Sequence, residues 1–531
     1  MPEVRDVRAT PEKVHIFDTT LRDGSQREGL SLTVDDKLRI AEQLDHLGVH
    51  YIEGGWPGAN PKDDEFFRRA PTELRLTTST LVAFGSTRRA GARADQDETL
   101  RQLVATGTEV VCIVAKSWDY HVTEALRTSL DEAVAMVADS VAFLRGKGRR
   151  VFLDAEHFFD GYERNPEFAL RVLRAAEESG AEVLVLCDTN GGCLPHDAER
   201  VVGEIVPAVG ARVGVHFHND AGCAVANALA GVRMGATQVQ GCVNGYGERT
   251  GNANLCTIIP NLALKMGVET IPPERMERLT PVAHHVAELV NISPDPQQPY
   301  VGVSAFAHKA GLHTSAIARA RDAYEHLDPD LVGNGTRFVV SELAGRSTIQ
   351  LKAEQLGLSL DGPALAGVLD RLKELEHRGY HFEAADGSLE LLMRTAAGWK
   401  QDFFRLESFR VITEEREDGL FVTEATIKVH VGDQRIVAAA EGNGPVNALD
   451  AALRQAIGPH YPALARVHLT DYKVRVLDTS KGTGAVTRVL LDSTDGERDW
   501  STIGVSENII EASWQALCDS VVFGLLHAGD A

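Results

Sequence analysis

The first 270 residues alternate short β-branched runs with amphipathic helical stretches, and this rhythm constrains the fold more than any other feature. Eight candidate strands stand out: VHIFDTT (14–20), HYIEGG (50–55), LTTSTLVAF (76–84), EVVCIVA (109–115), RVFLDAEH (150–157), EVLVLCDT (182–189), RVGVHFH (212–218) and TQVQGCVN (237–244). Between them lie segments such as VDDKLRIAEQLDHLG, with apolar residues at helical spacing. Several of these helices end in a glycine just before the next strand, at Gly48, Gly107, Gly180, Gly210 and Gly235. That placement suits the left-handed position past a helix end. Eight βα units in about 250 residues predict a closed (β/α)8 TIM barrel. The alternative is an open doubly wound sheet. Against it, no GxGxxG follows the first strand, and polar residues gather at the C-terminal strand ends, where a barrel builds its site.

The rest of the 531 residues reads differently. A barrel over 1–270 is expected to be followed by helical linker subdomains over 271–400 and by a C-terminal α+β domain over 401–531. The double proline at 272–273 and the connector NISPDPQQPYVG (291–302) open the middle region. Its helical segments include FAHKAGLHTSA (306–316) and SELAGRSTIQLKAEQLG (341–357). The last region carries an internal repeat offset by about 61 residues, with Asn447 and Asn508 as matching positions. Each unit has strands with partial alternation and then a helix. Such a repeat suits a regulatory or dimerising module with a ligand between its halves, or a purely structural one.

The formal charge of −22 argues against a nucleic-acid binder or a basic membrane-surface protein. No apolar run approaches the ~20 residues that span a bilayer. The N-terminus MPEVRDVRATPEK lacks the apolar core of a signal peptide, so a cytoplasmic protein is expected. Seven cysteines, with no CxxC pair, make neither a disulfide framework nor a zinc site.

Three clusters carry chemistry. DTTLRDGSQ (18–26) puts Asp18, Arg22 and Asp23 in one loop after strand 1. A carboxylate there can ligate a hard cation and an arginine can offset a developing oxyanion, although a surface ion pair has the same pattern. HFHND (216–220) puts His216 and His218 on one face of strand 7, about 6.6 Å apart. They can converge on one ion or be two buried histidines bonded to backbone. NGYGERTGNAN (244–254) follows strand 8, and its glycines permit close approach of backbone to a ligand. In a closed barrel strand 8 lies between strands 7 and 1, so Asp23, His216, His218 and Asn252 can meet at one point.

Together, DTTLRDGSQ, HFHND and GERTGN resemble the 2-isopropylmalate, homocitrate and citramalate synthases, within the broader group that contains hydroxymethylglutaryl-CoA lyase. The resemblance runs over nearly the whole chain. GNGPVNALDAAL (442–453) and GVSENIIEASWQAL (504–517) are similar to landmarks of the family's regulatory domain. EGGWPGANPKDDEFF (53–67) is similar to the longer type of citramalate synthase.

The resemblance implies a metal-dependent Claisen-type condensation of acetyl-CoA with a 2-oxo acid, followed by thioester hydrolysis. Pyruvate is the expected acceptor and 2-oxoisovalerate the alternative. A CoA-thioester lyase and an amino-acid sensor with an inactive barrel are the more distant readings. By the resemblance, Arg22 stabilises the enolate and substrate ketone. Asp23, His216 and His218 ligate a divalent cation (Mg, Mn, Co or Zn), and Asn252 completes or supports that site. Glu156 is a catalytic glutamate near the acetyl group, and Thr189 binds the oxo-acid carboxylate. His313 is the general base, with His308 as a local alternative. In the family that histidine comes from the partner subunit, which implies a homodimer. The C-terminal domain is expected to bind isoleucine as a feedback inhibitor, or leucine if the acceptor is 2-oxoisovalerate.

The chain departs from the pattern at Asp154, where some citramalate synthases carry an aromatic residue that closes the pyruvate pocket. SKGTGAVT (480–487) lacks the spacing of a phosphate loop. His284 and His285 fall on a helical face, Trp500 and Trp514 read as packing residues, and Lys62, Asp63 and Asp64 read as solvated loop charges.

Overall fold

The computed structural model describes residues 10–528 apart from 310–315, 318–319, 321–323, 341–344, 416 and 478. The chain divides into two compact units. The first comprises residues up to 306 together with 327–335. The second comprises 307–326 and 336 onward.

The first unit is a closed, all-parallel barrel of eight strands in sequence order. They are β1 (His15–Asp18), β2 (Tyr51–Gly55), β3 (Thr80–Ser86), β4 (Val110–Lys116), β5 (Arg150–Glu156), β6 (Val183–Asp188), β7 (Arg212–Phe217) and β8 (Gln238–Gly241). Each falls inside its sequence-predicted run, or within two residues of it. The open-sheet alternative is excluded because β1 pairs with both β2 and β8.

Two buried clusters follow from strand alternation. Phe17, Tyr51, Val82, Val110, Phe152 and Val183 point inward and fill the barrel. Their neighbours Ile16, Ile52, Ala83, Val111, Val151 and Leu184 point outward against the helices. The same inward parity, carried upward, selects Glu53, Phe84, Cys112, Asp154, His216 and Gln240.

The helices are set by local chemistry. In Val34–Leu47, Thr33 and Asp36 form a reciprocal capping box, and Gly48 ends the helix at φ +94°. Of Lys62, Asp63 and Asp64, expected as solvated charges, Lys62 and Asp64 are exposed, but Asp63 is buried against Lys37. Both are buried and ion-paired, and Lys37 Nζ also donates to the Gly54 carbonyl at 2.9 Å. Asp63 accepts from the Trp56 amide at 2.9 Å, so this pair fastens the β2 loop. A buried charge is tolerated when paired and hydrogen-bonded.

The second unit holds a short parallel pair, β9 (Ala307–His308) and β10 (Arg337–Phe338), then helices from Arg346 to Ala396. Two antiparallel three-stranded sheets follow: β11 (Arg405–Glu415), β12 (Phe421–Val431), β13 (Gln434–Gly442), and β14 (His468–Val476), β15 (Thr487–Thr494), β16 (Asp499–Ser506). The helix Pro445–Ile457 packs on the first sheet and Ile509–His527 on the second.

The repeat is real but its offset is not the expected one. The helices start 64 residues apart, because Pro445 opens the first and Asn508 caps the second. Asn508 therefore corresponds to Gly444, and Asn447 lies inside its helix. Strands β11 and β14 are edge strands with mostly exposed residues. Ile509–His527 is also longer and more apolar than the sequence reading allowed: it is long enough to cross a membrane, yet most of it is buried within the second unit's own core.

Candidate active site at the barrel mouth

The DTT segment closes the barrel before it offers any chemistry. The Thr20 amide and hydroxyl both donate to Asp18, each at 2.9 Å, and the Val243 amide donates to Thr20 Oγ1 at 2.9 Å. Burial pushes the Asp18 carboxyl up to about 7, against the pull of the Thr20 bonds. Asp18 thus ties β1 to the segment after β8, and the following turn delivers Arg22 and Asp23 to the mouth.

Asp23 is buried and faces β7. Its Oδ2 lies 3.2 Å from His216 Nε2 and 3.9 Å from His218 Nε2, and the two imidazole nitrogens are 3.2 Å apart. Asn252 Nδ2 donates to the same carboxylate at 2.8 Å. Asn252 gets there because residue 252 bridges to 218 as a short antiparallel pair. The loop needs its glycines for this: Gly247 has φ +152°, and a Cβ there would sit 2.7 Å from Asn252 Oδ1.

Arg22 donates through Nε to Glu53 at 2.6 Å, stands 3.6 Å from Asp23, and lies over the Phe84 ring at 3.9 Å. Glu156, at the end of β5, is ion-paired with Lys116. Thr189 Oγ1 accepts from the His157 amide at 3.0 Å, and the Thr189 carbonyl accepts from Arg249 at 2.7 Å. His157 itself has φ +53°, a strained backbone for a non-glycine residue beside the site. Arg22, Asp23, Glu156, Thr189, His216 and His218 line one cavity of about 240 Å³, with Trp56, Phe84, Val114 and Cys187 as its apolar side. His313 lies outside the described residues. His308 lies in the second unit, 3.3 Å from Glu325.

The electrostatics make Asp23 the anion of this cluster and His218 a neutral donor. Burial alone would raise the Asp23 carboxyl, but Arg22 and then His216 outweigh it and hold it far below the usual range. Burial, then the neighbouring His216, pushes His218 down to about 3, so its imidazole is neutral. Burial opposes a second proton on His216, and Asp23 outweighs that. One carboxylate and two imidazoles are a fitting donor set for a divalent cation. His218 Nδ1 and Asn252 Oδ1 are buried without a partner among the described residues.

The sequence reading passed over Glu53, Cys112 and Gln240. Their signal was available: each is a polar or thiol side chain at an inward position of a buried strand.

The barrel and this mouth define an HMGL-like protein. Residues 13–282 match the HMGL-like family, 300–380 the homocitrate synthase post-HMGL domain-like family, and 383–524 the LeuA allosteric (dimerisation) domain. The chain is 56% identical to an (R)-citramalate synthase of Streptomyces coelicolor over 523 residues, covering 98% of each chain. It is 51% identical to one from Aquifex aeolicus, covering 97% of this chain and 98% of that one. A probable 2-isopropylmalate synthase of Methanopyrus kandleri is 34% identical over 96% of this chain and 98% of that one. The chain belongs to the HMGL-like family and, within it, groups with the (R)-citramalate synthases.

Proposed function

We propose that this chain condenses acetyl-CoA with pyruvate and hydrolyses the thioester, releasing (R)-citramalate and CoA. The observation that carries the reading is the meeting of Asp23, His216 and His218 beside Arg22 at the barrel mouth. The near-full-length likeness to (R)-citramalate synthases supports pyruvate as acceptor. Asp154 gives no support to that choice, because it is not the aromatic wall of the resemblance.

Asp23, His216 and His218 would hold the divalent cation, with Asn252 orienting Asp23 through its amide bond. When bound, the cation supplies a Lewis acid for the ketone of the 2-oxo acid. Thr189 already accepts from the His157 amide, so its hydroxyl proton is free for a substrate carboxylate. Arg22, held by Glu53 and Phe84, offsets negative charge on the oxygen that develops during condensation. Glu156, which lines the same cavity, is the glutamate assigned to the acetyl group, and His313 of a second subunit removes the methyl proton; together they act as the acid–base pair.

The activity is cytoplasmic and the working form is a homodimer, supported by the match of residues 383–524 to a dimerisation domain. The same domain takes isoleucine as the feedback inhibitor, acting through a conformational equilibrium. A truncation near residue 400 that stayed fully inhibited by isoleucine would refute this.

The test of the reaction is CoA thiol release with acetyl-CoA, Mg²⁺ or Mn²⁺, and a panel of 2-oxo acids. Pyruvate is expected to exceed 2-oxoisovalerate and 2-oxoglutarate, with activity lost in chelator. Preference for 2-oxoisovalerate would move the enzyme to 2-isopropylmalate synthesis. Release with none would overturn the condensation itself.

A further inference from the structure

Beneath the cation ligands, four side chains from four strands form one buried hydrogen-bonded chain. His216 Nδ1 on β7 meets Gln240 Oε1 on β8 at 2.8 Å. Gln240 Nε2 meets Asp154 Oδ1 on β5 at 2.9 Å. Cys112 Sγ on β4 donates to the same Asp154 oxygen at 3.1 Å. All four residues are buried.

The direction of this chain follows from the donors alone. Asp154 Oδ1 accepts from both Cys112 Sγ and Gln240 Nε2, so Gln240 turns its amide nitrogen to Asp154 and its oxygen to His216. An amide oxygen cannot donate, so the proton between them belongs to His216 Nδ1. In the neutral ring the lone pair is then on Nε2, the atom that faces Asp23 and His218 at 3.2 Å each. We propose that Gln240 and Asp154 are positioning residues that fix the tautomer and ring orientation of His216, presenting Nε2 as a ready cation donor.

This rests on the reading of Asp23, His216 and His218 as cation ligands. It gives Asp154 a task where some relatives carry an aromatic residue: a carboxylate at that inward position sets which way the Gln240 amide points. Glu53, Cys112 and Asp154 could themselves be read as a second cation site, since their ligand atoms lie within 4.8 Å of one another. Glu53 Oε2 is taken by Arg22 and Asp154 Oδ1 by Gln240 and Cys112, while Glu53 Oε1 is buried without a partner among the described residues, so the count of bound Mn²⁺ decides between positioning and ligation.

The test is Mn²⁺ binding to the metal-stripped full-length protein, followed by the electron paramagnetic resonance of free Mn²⁺. Gln240→Leu is expected to weaken binding about 10–100-fold, the usual cost of losing a ligand's supporting partner. Asp154→Ala should act in the same direction. The double exchange Asp154→Asn with Gln240→Glu keeps one amide and one carboxylate, and still gives His216 Nδ1 an acceptor. It is expected to bind Mn²⁺ within about threefold of the unmodified protein, a rescue that mere loss of packing would not show.

Unchanged affinity in Gln240→Leu, while His216→Ala loses the ion, would overturn the positioning role and leave the ligand reading intact. Unchanged affinity in His216→Ala would overturn both. A second Mn²⁺ equivalent lost in Asp154→Ala would replace positioning by ligation. Should the variants fail to fold, histidine-¹⁵N spectra of the unmodified metal-free protein decide: protonation at His216 Nδ1 is expected, and protonation at Nε2 alone would contradict the proposal.

Discussion

The barrel and the C-terminal repeat both bury polar side chains, but of different kinds. At the barrel mouth the buried groups are ionisable and aimed at one another: Asp23, Glu53, Asp154, His216 and His218. In the repeat they are mostly hydroxyls, such as Thr423, Ser493, Thr502, Ser513 and Ser520, each small enough to be satisfied locally. Ser493 and Ser520 bond each other at 2.7 Å, and Thr502 donates to the Ala516 carbonyl at 2.8 Å. Burying a charge costs far more than burying a hydroxyl. Crowded buried charge therefore marks the region selected for chemistry, and satisfied hydroxyls mark the region built for packing.

Substitutions should break this contrast on one side at a time. The largest effect is expected from Asp23→Asn or His218→Ala: turnover should fall below detection in a CoA-release assay while circular dichroism stays that of the unmodified chain. Arg22→Lys keeps the charge but loses the planar fork that meets Glu53 and covers Phe84. A loss of about 10²–10³ in kcat is expected. On the other side, Leu453→Ala opens a cavity in the repeat core, where Leu453 is fully buried. It should cost about 2–5 kcal/mol in a denaturant titration and leave Mn²⁺ affinity unchanged.

A smaller, pH-dependent effect belongs to Asp18. Its folded carboxyl is pushed up to about 7 from an ordinary 3.8, so the folded chain holds that proton more tightly than the unfolded one. The resulting stability is complete below about pH 4 and is lost as pH rises through about 7. Melting curves of Asp18→Asn between pH 5 and 8 should fall less steeply with pH than those of the unmodified protein. The smallest effect is Asn508→Ala, which removes the side chain that accepts from the Ile510 and Glu511 amides. About 1 kcal/mol of stability should go, with turnover untouched.

The barrel was legible because strand periodicity and glycine caps are local signals that eight units repeat. The clusters at residues 18–26, 216–220 and 244–254 were legible because short motifs bring them to adjacent strand ends. Glu53, Cys112 and Gln240 were missed because each is a single inward side chain whose partners are set by closure of the barrel. The repeat's helix offset was misjudged because Asn447 matches Asn508 in letters, whereas Pro445 sets where the first helix begins. The apolar helix Ile509–His527 was underrated because Glu511 and Asp519 interrupt its run.

Equilibrium Mn²⁺ binding to the metal-stripped protein tests whether the buried acid and imidazoles of the barrel form a single cation site on which turnover depends. One ion per chain is expected, lost in Asp23→Ala and in His216→Ala and retained in Leu453→Ala. Undiminished binding in both barrel variants, or loss of the ion in the C-terminal variant alone, would contradict it.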